Sequence, residues 1–131
     1  MPSSIIEVRA RYSQEQEVAL LNAVHNALML AFKIPEHDKN IRLVVHEPHR
    51  FACPPDLSHP EAYTVVTISA FAGRSLDAKR SLYRSIVEQF SALGIPPDHV
   101  LILLHELARE NWGIRSGQAA CDIEVGFKID V

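Results

Sequence analysis

The sequence predicts a single α/β domain, residues 1–131, in which a strand–helix–strand unit occurs twice. In both units the hydrophobic pattern changes from the alternation of a strand to helical spacing and back. Matching features recur about 60 residues apart, among them the serines that begin the helices, Ser13 and Ser75. The halves span about residues 2–62 and 63–131. They predict a four-stranded mixed sheet with two helices on one face and a short C-terminal strand or hairpin.

The first half contains two predicted strands and the helix between them. Ile5–Arg11 alternates apolar and polar residues, as a half-buried strand does. Ser13 and Gln16 form a capping box that begins a helix, and Pro35 ends it. Ile41–Glu47 predicts the second strand. The predicted buried face of the helix consists of Val18, Leu21, Val24, Leu28 and Phe32.

The second half repeats this order around a tight turn. Val65–Phe71 is β-branched and aromatic, which favours a strand, and Gly73 breaks it. Ser75 can cap a helix by accepting a hydrogen bond from its first free amides, and Gly94 is placed to end that helix. Val100–Glu106 predicts the fourth strand. The predicted apolar face of this helix consists of Leu82, Tyr83, Ile86, Val87 and Phe90.

The remaining segments predict two loops and a final strand. Pro48–Ala62 is rich in Pro and His, and Glu110–Ala120 contains Gly and the only Trp. Asp122–Val131 alternates polar and apolar residues, so we expect a terminal strand there.

The fourth predicted strand, Val100–Glu106, is apolar on both faces, which is typical of a strand buried on both sides. Two helices cover only one face of a four-stranded sheet, and the sequence predicts no further helix. We therefore expect self-association to cover the second face.

Composition limits the classes of partner. The chain has 47% hydrophobic and 22% charged residues and a formal charge of −3, so neither nucleic acid nor an anionic membrane is an expected partner. No segment predicts a membrane span or a signal peptide, and we expect a cytoplasmic protein. Cys53 and Cys121 are too few for a disulfide framework and show no metal-ligand spacing, so no metal site is predicted.

Arg74 lies in the turn between the third strand and its helix. Unpaired amides at a helix N-terminus favour an anion, and a guanidinium adds a planar fork that matches a carboxylate. The alternative is a surface Arg paired with a nearby acid.

Several motifs on this repeat resemble the tautomerase superfamily, in particular the malonate semialdehyde decarboxylase group. They are Pro2 directly after Met1, IPEHD ending at Asp38, AGRS containing Arg74, ENWG containing Trp112, and the GQAA segment. The resemblance implies a homotrimer with its sheets facing inward, a small carboxylate-bearing substrate and no cofactor.

The resemblance also implies roles for individual residues. Pro2, freed by removal of Met1, would be the catalytic amine. Arg74 would bind the substrate carboxylate, and Asp38 would orient a substrate carbonyl or a water molecule. The implied apolar substrate contacts are Trp112, Ile114 and Phe127.

The chain departs from the family pattern at three positions. The best-known decarboxylase has a second Arg two places after the first, where this chain has Leu76. The related chloroacrylate dehalogenases carry Arg where this chain has Phe71, and Ile114 replaces an aromatic residue of the decarboxylases. With one Arg fewer, we expect weaker binding of fully ionised substrates and weaker dehalogenase-type hydration.

Simpler explanations exist for each candidate. If Met1 is retained, the Pro2 nitrogen is an amide, which cannot act as a base, and Pro2 merely precedes a strand. Asp38 follows a predicted helix end, where a turn or capping role is common. Packing is the commoner role for Trp112 and His25. His46 and His49 lack a third metal ligand at suitable spacing, and the recurrence of His46 as His105 in the second half favours a structural role for that pair.

The sequence thus predicts tautomerase-type proton transfer on a small enol or oxo acid by the Pro2 amine. The alternatives are decarboxylation of a β-oxo acid such as malonate semialdehyde, and a non-catalytic trimeric binding protein that retains Met1.

Overall fold

Four strands form the central sheet: β1 (Ser3–Val8), β2 (Ile41–Val45), β3 (Thr64–Phe71) and β4 (Val100–Leu107). A computed structural model describes all 131 residues. The strand order is β2-β1-β3-β4, with β1 parallel to β2, β3 parallel to β4, and β1 antiparallel to β3 at the centre. The predicted mixed sheet is confirmed, although β1 begins before the predicted Ile5 and ends at Val8 instead of Arg11, and β2 ends at Val45 instead of Glu47.

Both helices begin at the predicted capping serines. In α1 (Gln14–Phe32), Ser13 Oγ accepts from the Gln16 amide at 3.1 Å and the Ser13 amide donates to Gln16 Oε1 at 2.9 Å. In α2 (Leu76–Ala92), Ser75 Oγ accepts from the Ala78 amide at 3.1 Å. Each bond satisfies an amide that has no partner within its helix.

One face of the sheet and the inner faces of α1 and α2 enclose the core. The predicted face of α2 is buried at Leu82, Ile86 and Phe90. The predicted face of α1 is wrong at one position, because Val18 is 47% exposed while Leu20 is buried. Many α1 residues are apolar, so spacing alone does not decide where the centre of its buried stripe lies.

The other face of the sheet lacks such a cover. Val100, Ile102 and Leu104 of β4 pack against the core. Their neighbours Leu101 and Leu103 are 44% and 43% exposed. Alternation along a strand therefore places an apolar row on the open face, as the sequence predicts.

The Pro48–Ala62 segment is a loop with short 3₁₀ turns at Pro48–Arg50 and Pro60–Ala62. Arg9 holds it by donating to Cys53 Sγ at 2.8 Å and to the Pro60 carbonyl at 2.9 Å.

Both helices of the protein are unsuited to crossing a membrane, being too short or too polar.

The predicted C-terminal hairpin is confirmed, but it lies within Glu110–Ala120, which the sequence predicted as a loop, and the predicted terminal strand is absent. β5 (Gly113–Ile114) and β6 (Gln118–Ala119) form an antiparallel hairpin. Asp122–Val131 alternates between exposed and partly buried residues as predicted, yet it forms no strand. Alternation reports one-sided burial, whereas a strand also needs a hydrogen-bonded neighbour. The segment instead covers the turn before α2, where the Ser75 amide donates to the Val131 carbonyl at 2.9 Å.

Candidate active site

A small pocket surrounds the terminal amine at the head of β1. The Met1 amine lies 3.5 Å from Asp38 Oδ2, and Pro2 behind it is buried. The pocket has a volume of about 230 Å³. Besides Met1, its wall includes Pro35, His37, Asp38, Asn40, Arg115 and Phe127.

The environment of this amine lowers its pKa to about 6 from the usual 8.0. Burial is the main cause because it disfavours the charged form; Asp38 opposes the shift, and Arg74 and Arg109 add to it. A group with this pKa is mostly unprotonated at pH 7 and can accept a proton. While Met1 is present the Pro2 nitrogen is an amide, and removal of Met1 makes it the terminal amine, one residue along the chain from the Met1 amine described here.

Asp38 lies in the connection between α1 and β2 and is only 7% exposed. Its amide donates to the Pro35 carbonyl at 3.1 Å, which closes a turn after the helix. Asn40 Nδ2 donates to Asp38 Oδ1 at 3.0 Å. The other carboxylate oxygen, Asp38 Oδ2, is buried without a hydrogen-bond partner and faces the Met1 amine. The turn interpretation and the catalytic interpretation are therefore compatible at Asp38.

Arg74 is 5% exposed in the turn between β3 and α2. Nη1 donates to the Phe71 carbonyl at 3.1 Å, and the guanidinium lies 4.7 Å from the ring centroid of Phe32. Nε and Nη2 are buried without partners. Burial lowers the pKa of Arg74, an effect that Glu106 and Asp38 oppose, but an arginine remains protonated. The surface ion pair considered as an alternative is thus absent.

Aromatic packing connects this turn to the C-terminal hairpin. Trp112 packs edge-on against Phe71 with ring centroids 5.0 Å apart, and the Arg109 guanidinium lies 5.9 Å from the Phe71 ring. Arg109 also lines a second, larger cavity of about 770 Å³ between the Gly73 turn and the C-terminal segment. Phe127 lines both cavities, whereas Trp112 and Ile114 line neither.

Polar residues of this region that were not among the predicted site residues include His37, directly before Asp38, and Asn40, Arg109 and Arg115. Asn40 lies two residues after Asp38, and Arg109 lies three residues before Trp112. Proximity to these motifs was the signal in the sequence that could have identified them as site residues. Arg115 lies at the hairpin tip with a φ of 48°, a conformation that only the folded hairpin reveals.

Two of the histidines, His25 and His46, fit structural roles. His25 is buried and its Nε2 lies 2.8 Å from the Glu36 carbonyl, so it ties α1 to the segment that follows it. His46 Nε2 lies 2.8 Å from Glu7 Oε2 across neighbouring strands. No three His, Cys, Asp or Glu side chains lie close enough together to hold a metal ion.

Solved structures of similar fold cover almost the whole chain. FG41 malonate semialdehyde decarboxylase inhibited by 3-bromopropiolate is 26% identical, with 92% of this chain and 94% of that chain covered and a TM-score of 0.82. Another malonate semialdehyde decarboxylase is 22% identical, with coverages of 93% and 99% and a TM-score of 0.81. Fused 4-OT, solved as an asymmetric trimer, is 20% identical, with coverages of 92% and 97% and a TM-score of 0.81.

Sequence comparison gives the family directly. A search of curated proteins finds no match. The family model described as tautomerase enzyme matches residues 38–115, which include Asp38, Arg74 and Trp112. The match spans more than half of the chain, and the fold agrees with it. The protein belongs to the tautomerase superfamily.

Proposed function

We propose that the protein catalyses tautomerase-type proton transfer on a small enol or oxo carboxylic acid, with the Pro2 amine as the proton carrier. The observation that supports this most is the amine environment. The Met1 amine has a pKa of about 6, lies beside a buried carboxylate and is close enough to Arg74 for that charge to lower its pKa. Removal of Met1 would place the Pro2 amine next to this position. An amine that is unprotonated near neutral pH is suited to general base catalysis.

Arg74 supplies the binding partner for the substrate. A buried cation with two unpaired donor nitrogens is costly unless an anion completes its hydrogen bonds. A substrate carboxylate fits this requirement because a guanidinium presents parallel N–H groups to it. The amine then removes the enol proton from oxygen, the O–H electron pair forms the C=O bond, and the former C=C pair takes the proton back at carbon. The amine ends the cycle unprotonated, and no cofactor takes part.

Decarboxylation of a β-oxo acid such as malonate semialdehyde is the second candidate, and the position of Asp38 favours it. Asp38 Oδ2 is buried, lacks a hydrogen-bond partner and faces the amine. In this reaction the protonated amine polarises the β-carbonyl. The C–C bond to the carboxylate breaks, its electron pair forms the C=C bond of an enol whose oxygen takes the amine's proton, and CO₂ leaves. The amine then transfers the enol O–H proton to carbon and regains a proton from water. The 26% identical decarboxylase structure is consistent with this candidate.

We further propose that the protein is a homotrimer. Leu101 and Leu103, both more than two-fifths exposed, form an apolar row on the open sheet face, and further exposed apolar residues lie on both edge strands, among them Val44 and Leu107. Exposed apolar surface of this kind favours association. Fused 4-OT, which has a similar fold, was solved as an asymmetric trimer, and this supports the proposal.

The test begins with intact-mass measurement, since only protein that has lost Met1 carries the Pro2 amine. Met1-free protein is then screened spectrophotometrically with enol-pyruvates and with β-oxo acids. A matched control carries one uncleaved residue before Pro2, which converts the amine to an amide and should abolish turnover. Equal activity with and without the blocking residue would refute Pro2 as the base. Retention of Met1 in the native protein would favour the non-catalytic trimeric binding protein.

A further inference from the structure

We propose that Asn40 is a positioning residue, whose side-chain amide holds the Asp38 carboxylate so that one oxygen faces the terminal amine. Asn40 directly precedes β2 and belongs to none of the sequence motifs described above. The inference rests on the proposed function, because it assigns a role only if the amine carries the proton.

The hydrogen bonding of Asp38 is asymmetric, and Asn40 is the cause. Asn40 Nδ2 donates to Asp38 Oδ1 at 3.0 Å, whereas Asp38 Oδ2 has no hydrogen-bond partner and lies 3.5 Å from the Met1 amine, next to the position of the Pro2 nitrogen. An ionised carboxylate only accepts hydrogen bonds, so the bond fixes the orientation of the Asn40 amide as well. The amide therefore selects which oxygen faces the amine and limits rotation of the carboxylate.

The backbone of Asn40 is joined to the strand that carries the amine. The Ser4 amide donates to the Asn40 carbonyl at 3.0 Å, and Ser4 lies two residues beyond Pro2. One residue thus holds the carboxylate with its side chain and the head of β1 with its main chain. This arrangement keeps the distance between carboxylate and amine constant.

Fixing the carboxylate also fixes the charge that the amine experiences. Arg74 and Arg109 lower the pKa of the amine, and Asp38 is the acidic group that raises it. His37 and Arg115 complete the polar wall of the pocket. Without the Asn40 amide the carboxylate can turn away from the amine. The pKa of the amine should then fall, and the acid limb of the pH–rate profile should move to lower pH.

The test compares Asn40→Ala, Asp38→Asn and the double variant as Met1-free proteins. The pH dependence of kcat/KM for enol–keto conversion and NMR titration of Pro2 are both measured, the second without any substrate. We expect Asn40→Ala to lower the pKa of the amine by about half a unit. In the Asp38→Asn background, Asn40→Ala should cause no further shift, since it acts through Asp38. Asn40→Ser keeps a hydrogen-bond donor, so the pKa of its amine should lie between those of wild type and Asn40→Ala.

Asn22→Ala is the matched control. Asn22 is also exposed, and its Oδ1 accepts from Lys39 Nζ at 2.6 Å, so its loss loosens the same connection without touching the carboxylate. It should leave the titration of Pro2 unchanged. An unshifted titration in folded Asn40→Ala, an additive effect in the double variant, or an equal shift in Asn22→Ala would each overturn the role of Asn40. Absence of turnover in every wild-type assay would overturn the proposed function instead, and the titration would still decide the role of Asn40.

Discussion

Substitution of Asp38 by Asn should separate the two candidate reactions, because they need opposite protonation states of the amine. Asp38 raises the pKa of the Met1 amine, whose net value is about 6, and we take this value for the Pro2 amine of the Met1-free protein. With that value on Pro2, about 10% of the amine is protonated at pH 7. An opposite charge at this distance typically shifts a pKa by at least about one unit, so removing it leaves about 1% protonated.

The consequences for the two reactions differ in size. Tautomerisation uses the unprotonated amine, whose fraction at pH 7 rises only from about 90% to about 99%, so its rate should change little. Decarboxylation uses the protonated amine, and its rate should fall about tenfold from protonation alone. Loss of the group that orients the carbonyl or water should lower the decarboxylation rate by a further factor of about 10²–10⁴.

Both activities are measured at pH 7 on the same Met1-free Asp38→Asn protein, with folding checked by circular dichroism. The acid limb of the tautomerase profile should also move to lower pH, since the pKa of the amine falls. If both activities decrease by the same factor, Asp38 supports the site as a whole and the division of roles proposed above is incorrect.

Three further predictions concern binding, assembly and the turn. Arg74→Ala should reduce kcat/KM for a carboxylate substrate by about 10²-fold or more, with only partial recovery in Arg74→Lys because an ammonium lacks the planar fork; wild-type kinetics would remove Arg74 from the site. Sedimentation of the wild-type protein should show a trimer, and a stable monomer would exclude it. Leu103→Asp should dissociate the trimer, whereas the control Leu30→Asp, at a 62% exposed position on α1, should leave it intact. Gly73→Ala should lower the free energy of unfolding by about 1–3 kcal/mol, since Gly73 has a φ of +131° and a Cβ would lie 3.2 Å from a side chain of the C-terminal segment. Chemical denaturation of Gly113→Ala, where a Cβ meets nothing within 4 Å, should show almost no change.

Local patterns in the sequence were sufficient to predict the fold. Ser13 and Ser75 predicted both helix starts, because a capping side chain acts within one turn of its own residue. Alternation and β-branched runs predicted the four strands, and repetition of the unit predicted the mixed sheet. Resemblance of the motifs to the tautomerase superfamily predicted the family, which the comparisons confirm.

Other features depend on contacts between distant parts of the chain. Asp122–Val131 has the alternation of a strand, but only the folded chain shows that its backbone lacks a neighbouring strand. The depressed pKa of the Met1 amine likewise depends on the tertiary structure, because burial is its main cause, Arg74 and Arg109 lower it further, and Asp38 opposes them at the head of β1. Asn40 became visible only through its hydrogen bond to Asp38. The sequence by itself therefore determined what depends on spacing along the chain, namely the elements, their order and the family motifs. The tertiary structure decided the electrostatics of the site, because burial and charge–charge distances exist only once separate segments are packed together.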